Sequence, residues 1–469
     1  MESQLKKVSL NKYQLARTAG MKAEVVVYAN EEILKEIHQD LSLQQLQEAA
    51  SLAGVVSPVI GMPDIHEGFG LPIGGVMATK DLISVGAVGM DINCGVRLLT
   101  SNLQYNQQLF STGRLKSLIH QIESLIPIGL GASRRADSAP LVLTKVAEQG
   151  VKYLVKNSYA LKEDLDSIEE GGCLQGARFT SLTPRAAKRA RNQLGTLGSG
   201  NHFIEIQKIT KVFDLELAKK WQLAENQICV MVHTGSRAMG HQTCTDYTDI
   251  FWRAREKYGL AIPRKGLAAL PINSLEGQRY FQAMASSVNF AFSNRALITY
   301  YLRKIFSQEF KSPLRLIYDV AHNIAKWEPF DCAQGKVLVH RKGATRALPA
   351  GHLQNPKKYQ ETGQPAIVPG SMGTASYVMV GLAKNEDTFD SINHGAGRKM
   401  SRGQAKRTIN EKDFTETMKG IVVNKPFWVI ADEAPGAYKN IHEVIDTLVE
   451  AGLTKKVCQL QPLAVIKGD

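Results

Sequence analysis

Residues 54–98 read GVVSPVIGMPDIHEGFGLPIGGVMATKDLISVGAVGMDINCGVRL, a stretch in which Gly and Pro are dense and charge is thin. Neither residue suits a helix interior, because Gly loses the most backbone entropy and Pro lacks an N–H donor. Tightly packed loops and short strands are therefore expected here rather than regular helices. Upstream, KAEVVVYA (22–29) reads as a strand and 31–53 as an amphipathic helix. Downstream, helices are expected near 115–126, 142–157 and 184–193, and Ile228–Val232 is a short apolar strand ending at His233. The clearest helix spans about 275–308, where Phe281, Met284, Val288, Ala291, Ile298 and Leu302 recur at spacings of three, four or seven and define one buried stripe. Arg295 lies on that stripe, either paired with a buried acid or facing a phosphate. Strands at 314–320, 335–340 and 377–382, a helix at 441–451 and a strand at 457–466 complete the chain. Strands and helices mix without a βαβ rhythm. The expected fold is thus mixed α+β, one large composite domain over 1–469 and not a Rossmann or P-loop sheet. Residues 1–20 form an N-terminal segment without an interpretable signal.

The chain carries 57 Lys and Arg against 44 Asp and Glu, a formal charge of +13, which suits a polyanionic partner. A hydrophobic content of 44% excludes a disordered chain. The apolar stretches 51–63 and 70–78 are broken by Gly and Pro and fall short of a membrane span, so no membrane association is expected. No apolar core follows the basic residues of MESQLKKVSLNKYQL, so no signal peptide is visible. Six cysteines (Cys94, Cys173, Cys229, Cys244, Cys332, Cys458) contain no CxxC pair, which points to reduced thiols and a cytoplasmic setting.

GxxxxGK[ST], GxGxxG between strand and helix, and the KxDG of lysine nucleotidyl transferases are all absent. The chemistry concentrates instead in short polar or Gly-rich segments directly after apolar strands, where a strand ends and a loop begins: Asp91 and Cys94 in GMDINCG, His202 in LGSGNHFIE, His233 in VHTGSR and His322 in DVAHNIAKWE. One Asp, one Cys and three His suit Mn²⁺, Zn²⁺, Co²⁺ or Ni²⁺ better than Mg²⁺ or Ca²⁺. A deprotonated Cys can bridge two ions, and paired ions suit phosphoryl chemistry. Taken singly, a strand-end His or a loop Cys is more often structural, and no HExxH-type spacing ties the five together. In SINHGAGR (391–398), Gly395 and Gly397 allow close backbone approach to a phosphate, Arg398 supplies a cation, and a neutral His394 could attack an α-phosphate. VPGSMGTASY (368–377) offers backbone N–H groups with the Ser371 and Ser376 hydroxyls as a phosphate or base cradle. Lys467 in VIKGD reads locally as a solvated terminal lysine. Between 340 and 407 there are 11 Lys and Arg against 4 Asp and Glu, including Arg341, Lys342 and Arg346, as a phosphate-backbone groove requires. Arg185, Lys188, Arg189 and Arg191 form a second, helical basic face.

Ordered blocks then define a resemblance: GMPDIHEGFGLPIGGVMAT, GAVGMDINCGVR, LGTLGSGNHFIE, VHTGSRAMGH, YDVAHNIAKWE, VHRKGATRALP, VPGSMGTASYVM, NHGAGRKMSR, DEAPGAYKNI and a closing IKG. From about residue 20 to its end the chain resembles the RtcB-type RNA-splicing ligases. The resemblance implies the family's own mixed α/β fold and a GTP- and Mn²⁺-dependent joining of RNA 3′-phosphate or 2′,3′-cyclic-phosphate ends to 5′-hydroxyl ends, in tRNA splicing or RNA repair. It implies Asp91, Cys94, His202, His233 and His322 as ligands of two Mn²⁺ ions bridged by Cys94, and His394 as the nucleophile that takes GMP. It further implies guanine-nucleotide contacts at Asn201, His202, Phe203, Ile204, Glu205, His322, Asn323, Pro369, Gly370, Ser371, Met372, Ser376, His394, Gly395, Ala396, Gly397 and Lys467. Arg341, Lys342 and Arg398 are candidates for holding RNA phosphate. The expected partner is RNA, as tRNA halves or broken strands; an archease-type activator, used by some relatives, is left open. The competing readings are a metal-dependent RNA-end phosphoesterase or nuclease and a non-catalytic RNA-binding protein.

Overall fold

The computed structural model describes residues 5–37, 39–134, 141–330 and 335–468; Cys332 lies outside them. Among the described residues two large sheets dominate. The first has seven strands in the order Leu5–Ser9, Lys12–Leu15, Val25–Tyr28, Val55–His66, Ile73–Thr79, Lys336–Lys342 and Asn323–Pro329. Only Val25–Tyr28 and Val55–His66 run parallel, joined through the helices Glu31–Ile37 and Ser42–Ala50. The second has eight, in the order Arg315–Ala321, Gly95–Gln104, Gln227–Thr234, Phe203–Val212, Thr454–Lys467, Ser376–Gly381 and Pro365–Val368, with Val422–Val423 parallel to Thr454–Lys467.

The second sheet is buried on both faces, and its strands show why. Along Gln227–Thr234, Ile228, Val230 and Val232 face the core around the long helix, while Cys229 and Met231 face a second cluster with Ile317, Val378 and Leu460. Alternate side chains leave a strand on opposite faces, so an unbroken apolar run fills both.

The mixed α+β expectation holds, and most elements fall where the pattern placed them. The 31–53 helix is two helices, Glu31–Ile37 and Ser42–Ala50. The 142–157 helix is likewise Leu143–Gln149 and Val151–Lys156, broken at Gly150, whose φ is +57°. The 54–98 stretch forms the strands Val55–His66, Ile73–Thr79 and Leu82–Ser84 and leads into Gly95–Gln104, although the first, at 12 residues, is longer than the short strands expected. The helix Leu275–Phe310 is buried on every side from Ala283 to Thr299, not along one stripe. The reason is its position between the second sheet and the surrounding helices, where Ser, Asn and Ala serve as core residues too. Residues 5–15, without a readable signal, form the hairpin that edges the first sheet.

Arg295 is fully buried and pairs with Asp319, the buried-acid alternative. Asp319 Oδ1 accepts from Arg295 Nε at 2.8 Å, and its Oδ2 accepts from Arg97 Nε at 2.7 Å. Arg295 Nη1 donates to the carbonyls of Asn93 (2.9 Å) and Thr234 (2.7 Å), and Nη2 to Asn93 Oδ1 at 3.1 Å. Replacing Asp319 by Ala leaves two buried guanidiniums without their acid, and stability should fall by about 3–5 kcal/mol in chemical denaturation.

Candidate active site

The antiparallel register of the second sheet assembles the site. In such a pair the start of one strand lies beside the end of its neighbour. Ala321 pairs with Gly95, Val96 with His233, His233 with Phe203, and Phe203 with Lys467. His322, Cys94, His233, His202 and Lys467 therefore come to one edge on five consecutive strands. Cys94 and His202 precede their strands rather than follow them, as the sequence reading had it.

At that edge three imidazoles turn Nε2 toward one sulfur or toward each other. Cys94 Sγ lies 3.4 Å from His202 Nε2 and 3.2 Å from His233 Nε2. His233 Nε2 is 3.2 Å from His322 Nε2, and His202 Nε2 is 2.7 Å from Asp91 Oδ2. Two metal-competent groups result, Cys94–His233–His322 and Asp91–Cys94–His202, which share Cys94. Two facing Nε2 atoms hold at most one proton between them, whereas a cation satisfies both lone pairs. Burial, reinforced by neighbouring cationic groups, holds His233 and His322 well below the usual imidazole range, so both are neutral as ligation requires. Burial, and then the Asp91 carboxylate, pushes the Cys94 thiol well up, and a divalent cation is the charge that would free its thiolate. The donor set fits a divalent transition metal.

His394 approaches from the strand Ser391–Asn393, which pairs with Ala344–Arg346. Its ring lies 4.9 Å from that of His322. Its Nδ1 is 2.6 Å from Asp64 Oδ2, which also accepts from the His394 N–H (3.0 Å) and the Gly395 N–H (3.3 Å). Asp64 itself is fully buried. With the proton on Nδ1 facing a carboxylate, Nε2 keeps its lone pair. Gly397, at φ +72°, lets this loop close over Asp64, whose carbonyl oxygen any Cβ there would strike. Lys439 Nζ holds the carbonyls of Pro63 (3.1 Å) and Ile65 (2.7 Å) on either side of Asp64.

The remaining candidates surround these groups. Gly395 abuts the Pro369 carbonyl, and Ser376 Oγ accepts from the Gly370 N–H and from Gln207 Nε2, both at 3.2 Å. Gln207 Nε2 also donates to Glu205 Oε2 at 2.6 Å. Ser371 and Met372 are buried beside them. Asn323 accepts from the Gly343 N–H at 2.9 Å and donates to the Asp91 carbonyl at 3.0 Å. Asn201 borders His202, and Ala396 sits within the His394 loop. Ile204 turns its side chain into the main core. Lys467 is buried, contrary to its local reading: Nζ donates to the Gly200 carbonyl at 3.0 Å and lies 3.4 Å from Glu433 Oε2.

Two basic candidates do not face the site. Arg341 is fully buried and engages Glu328 through two bonds of 2.6 and 2.7 Å. Lys342 Nζ is spent on the carbonyls of Phe69, Leu71 and Gly86. Strand residues from an interior sheet point into packed layers, which Lys and Arg density alone does not reveal. Arg398 reaches the Asp432 carbonyl (2.7 Å), Tyr438 Oη (3.2 Å) and Glu433 (3.4 Å). Arg185, Lys188, Arg189 and Arg191 stay exposed on their helix, Pro184–Ala190, and just beyond it. Asp64, Glu433, Tyr438 and Lys439 were given no role by sequence reasoning, although a charged residue in the apolar run VIGMPDI was the available signal for Asp64.

The family model described as tRNA-splicing ligase RtcB matches residues 45–468. The chain is 43% identical over 456 residues to the tRNA-splicing ligase RtcB of Thermococcus kodakarensis, covering 94% of each chain. It is 42% identical to that of Archaeoglobus fulgidus over the full length of both. It is 41% identical to the RNA-splicing ligase RtcB of Mycobacterium tuberculosis, covering 90% of this chain and all of the relative.

Two outcomes follow from the site. Titrated with Co²⁺, the protein should show a thiolate-to-metal absorption band that Cys94→Ala abolishes, while His322→Ala, which leaves the Asp91–Cys94–His202 group, retains a weaker one. Burial raises the Glu205 carboxyl to about 8. The folded chain therefore keeps a proton that the unfolded chain loses above its ordinary value of 4.5, and stability falls as pH rises between those values. The melting temperature of Glu205→Gln, measured against wild type, should gain steadily from pH 5 to pH 8.

Proposed function

The chain belongs to the RtcB family of RNA-splicing ligases, and from that premise we propose that it is an RNA ligase. It joins RNA 3′-phosphate or 2′,3′-cyclic-phosphate ends to 5′-hydroxyl ends, using GTP and Mn²⁺, in tRNA splicing or RNA repair. The observation that carries this reading is the posture of His394, whose Nδ1 is engaged by buried Asp64 while its ring lies against a metal-competent histidine. A metal phosphoesterase needs only the His/Cys/Asp donors, whereas covalent nucleotide transfer also needs a nucleophile, and a neutral imidazole with its Nδ1 held by a carboxylate supplies one. The five described cysteines other than Cys332 are unpaired thiols, in accord with a cytoplasmic setting.

Asp91, Cys94, His202, His233 and His322 would hold two Mn²⁺ ions with Cys94 between them. Ions there polarise phosphate oxygens and lower the pKa of a bound hydroxyl or water. His394 Nε2 attacks the α-phosphorus of GTP and pyrophosphate leaves, giving a phosphoramidate that Asp64 supports by keeping the Nδ1 proton in place. An oxygen of the RNA 3′-phosphate then takes the GMP from His394, which regains its neutral form. This step is needed because a bare 3′-phosphate would have to expel oxide, whereas the activated end expels GMP when the 5′-hydroxyl attacks. A cyclic phosphate is first opened by water. Glu205, Ser376, the 369–372 loop and Lys467 would contact the guanine nucleotide, a role supported by the approach of Gly395 to the Pro369 carbonyl beside His394. Arg402, 56% exposed beside Glu433, is better placed for RNA phosphate than Arg341 or Lys342.

The test is the intact mass of the protein after incubation with GTP and Mn²⁺. Wild type should gain one GMP and His394→Ala none. Asp64→Asn should gain it slower by roughly two orders of magnitude, because the tautomer is no longer held. A wild-type protein that gains no mass, with or without an archease-type activator, while His394→Ala still hydrolyses RNA ends would establish the phosphoesterase instead.

A further inference from the structure

Trp428 is 72% exposed. It sits on the one-turn helix Phe427–Ile430, introduced by Pro426. The residues around it turn inward: Ile430 is buried in a small cluster with Met372, Phe414 and Met418, and the Phe427 ring lies 5.1 Å from that of Phe414. With its neighbours anchored, the indole is presented to solvent on a rigid support. Among the described residues none forms a hydrogen bond or ring contact with the indole.

Its surroundings identify what would cover it. On one side the chain runs to Asn424, whose Nδ2 donates to the Lys467 carbonyl at 2.9 Å and whose Oδ1 accepts from the Lys467 N–H at 2.9 Å. On the other it runs to Asp432 and Glu433, the anchors of Arg402 and Lys406: Arg402 Nη2 is 3.1 Å from Glu433, and Lys406 Nζ is 3.8 Å from Asp432. Both cationic side chains are 56% exposed. The Arg402 guanidinium also closes on Gly200, two residues before His202. Trp428 thus stands on the segment that links the Lys467 end of the nucleotide pocket to a cationic rim. From 398 to 428 there are eight Lys or Arg against three Asp or Glu. A second copy of the chain would bring this cationic rim against itself. A polyanion with flat apolar bases matches both features, because phosphates meet the cations while a base stacks on the indole.

We propose that Trp428 is a stacking platform for a nucleobase of the RNA strand whose end enters the site, with Arg402 and Lys406 holding the adjoining phosphates. The proposal rests on the RNA-ligase reading above and adds a base contact to it. Trp428 contacts neither the reacting atoms nor the metal donors, so it governs RNA affinity and not guanylylation.

The experiment compares wild type, Trp428→Ala and Trp428→Phe, with a short 3′-phosphate RNA and a 5′-hydroxyl RNA as probes. GMP transfer to the protein should be equal in all three. In Trp428→Ala the RNA concentration for half-maximal ligation should rise about tenfold or more, with the saturated rate unchanged, and Trp428→Phe should recover most of the loss. Adding RNA should quench wild-type tryptophan fluorescence, and that quench should be absent in Trp428→Phe. An abasic nucleotide near the 3′-phosphate end should shrink the gap between wild type and Trp428→Ala. An unchanged half-maximal concentration with an unchanged quench overturns the proposal. So does a change in oligomeric state in Trp428→Ala, which would assign the surface to a second copy. Failure of wild type to take GMP or join RNA refutes the ligase reading separately, because the quench is read without turnover.

Discussion

Asp319 is one carboxylate shared by two guanidiniums in a place that water does not reach, and the site is organised around it. Arg97 and Arg295 extend from the strand Gly95–Gln104 and the helix Leu275–Phe310. Arg295 then spends its other N–H groups on the carbonyls of Asn93 and Thr234. Those residues are the immediate neighbours of Cys94 and His233. A buried guanidinium cannot leave one partner unpaired without a large desolvation cost, so the geometry of its fork dictates where the two loops lie. The sulfur and imidazole that would bind metal are in this way fixed by a group that touches neither.

The two sheets contribute differently. The eight-stranded sheet supplies its donors by register, since antiparallel pairing carries strand starts and strand ends to one edge. The seven-stranded sheet supplies Asp64, from the end of Val55–His66, and through it the orientation of His394. Asn323 ties the two together by accepting from the Gly343 N–H and donating to the Asp91 carbonyl. A 4.9 Å separation of the His322 and His394 rings is the point where the two sheets' contributions meet.

Burial also sets protonation. It keeps His233 and His322 neutral and the Cys94 thiol protonated until a cation displaces the proton. It lowers Lys467, with Glu433 acting against the shift. The same desolvation that makes these groups costly to hold makes them strong once a charged ligand is present, because the local dielectric is low.

The amino-acid sequence determined the mixed α+β class and most strands and helices, and it singled out Asp91, Cys94, His202, His233, His322 and His394 as candidates, while Asp64, Glu433, Tyr438 and Lys439 did not stand out in it. Periodicity and Gly/Pro punctuation report local geometry, and His, Cys and Asp beside apolar strands stand out by composition. It could not show that Asp91, Cys94, His202, His233 and His322 meet, because they are separated by up to 231 positions and only strand register unites them. Nor could it distinguish cations facing solvent from cations spent inside. Arg341, Lys342 and Lys467 occupy basic or terminal stretches that look solvated, yet each is buried against carbonyls or carboxylates. Arg402 stays 56% exposed although its guanidinium is 3.1 Å from Glu433. Whether a charge is a ligand for RNA or a brace for the fold depends on which face it leaves, and tertiary packing alone decides that, because the desolvation of a charge is set by neighbours distant in the chain.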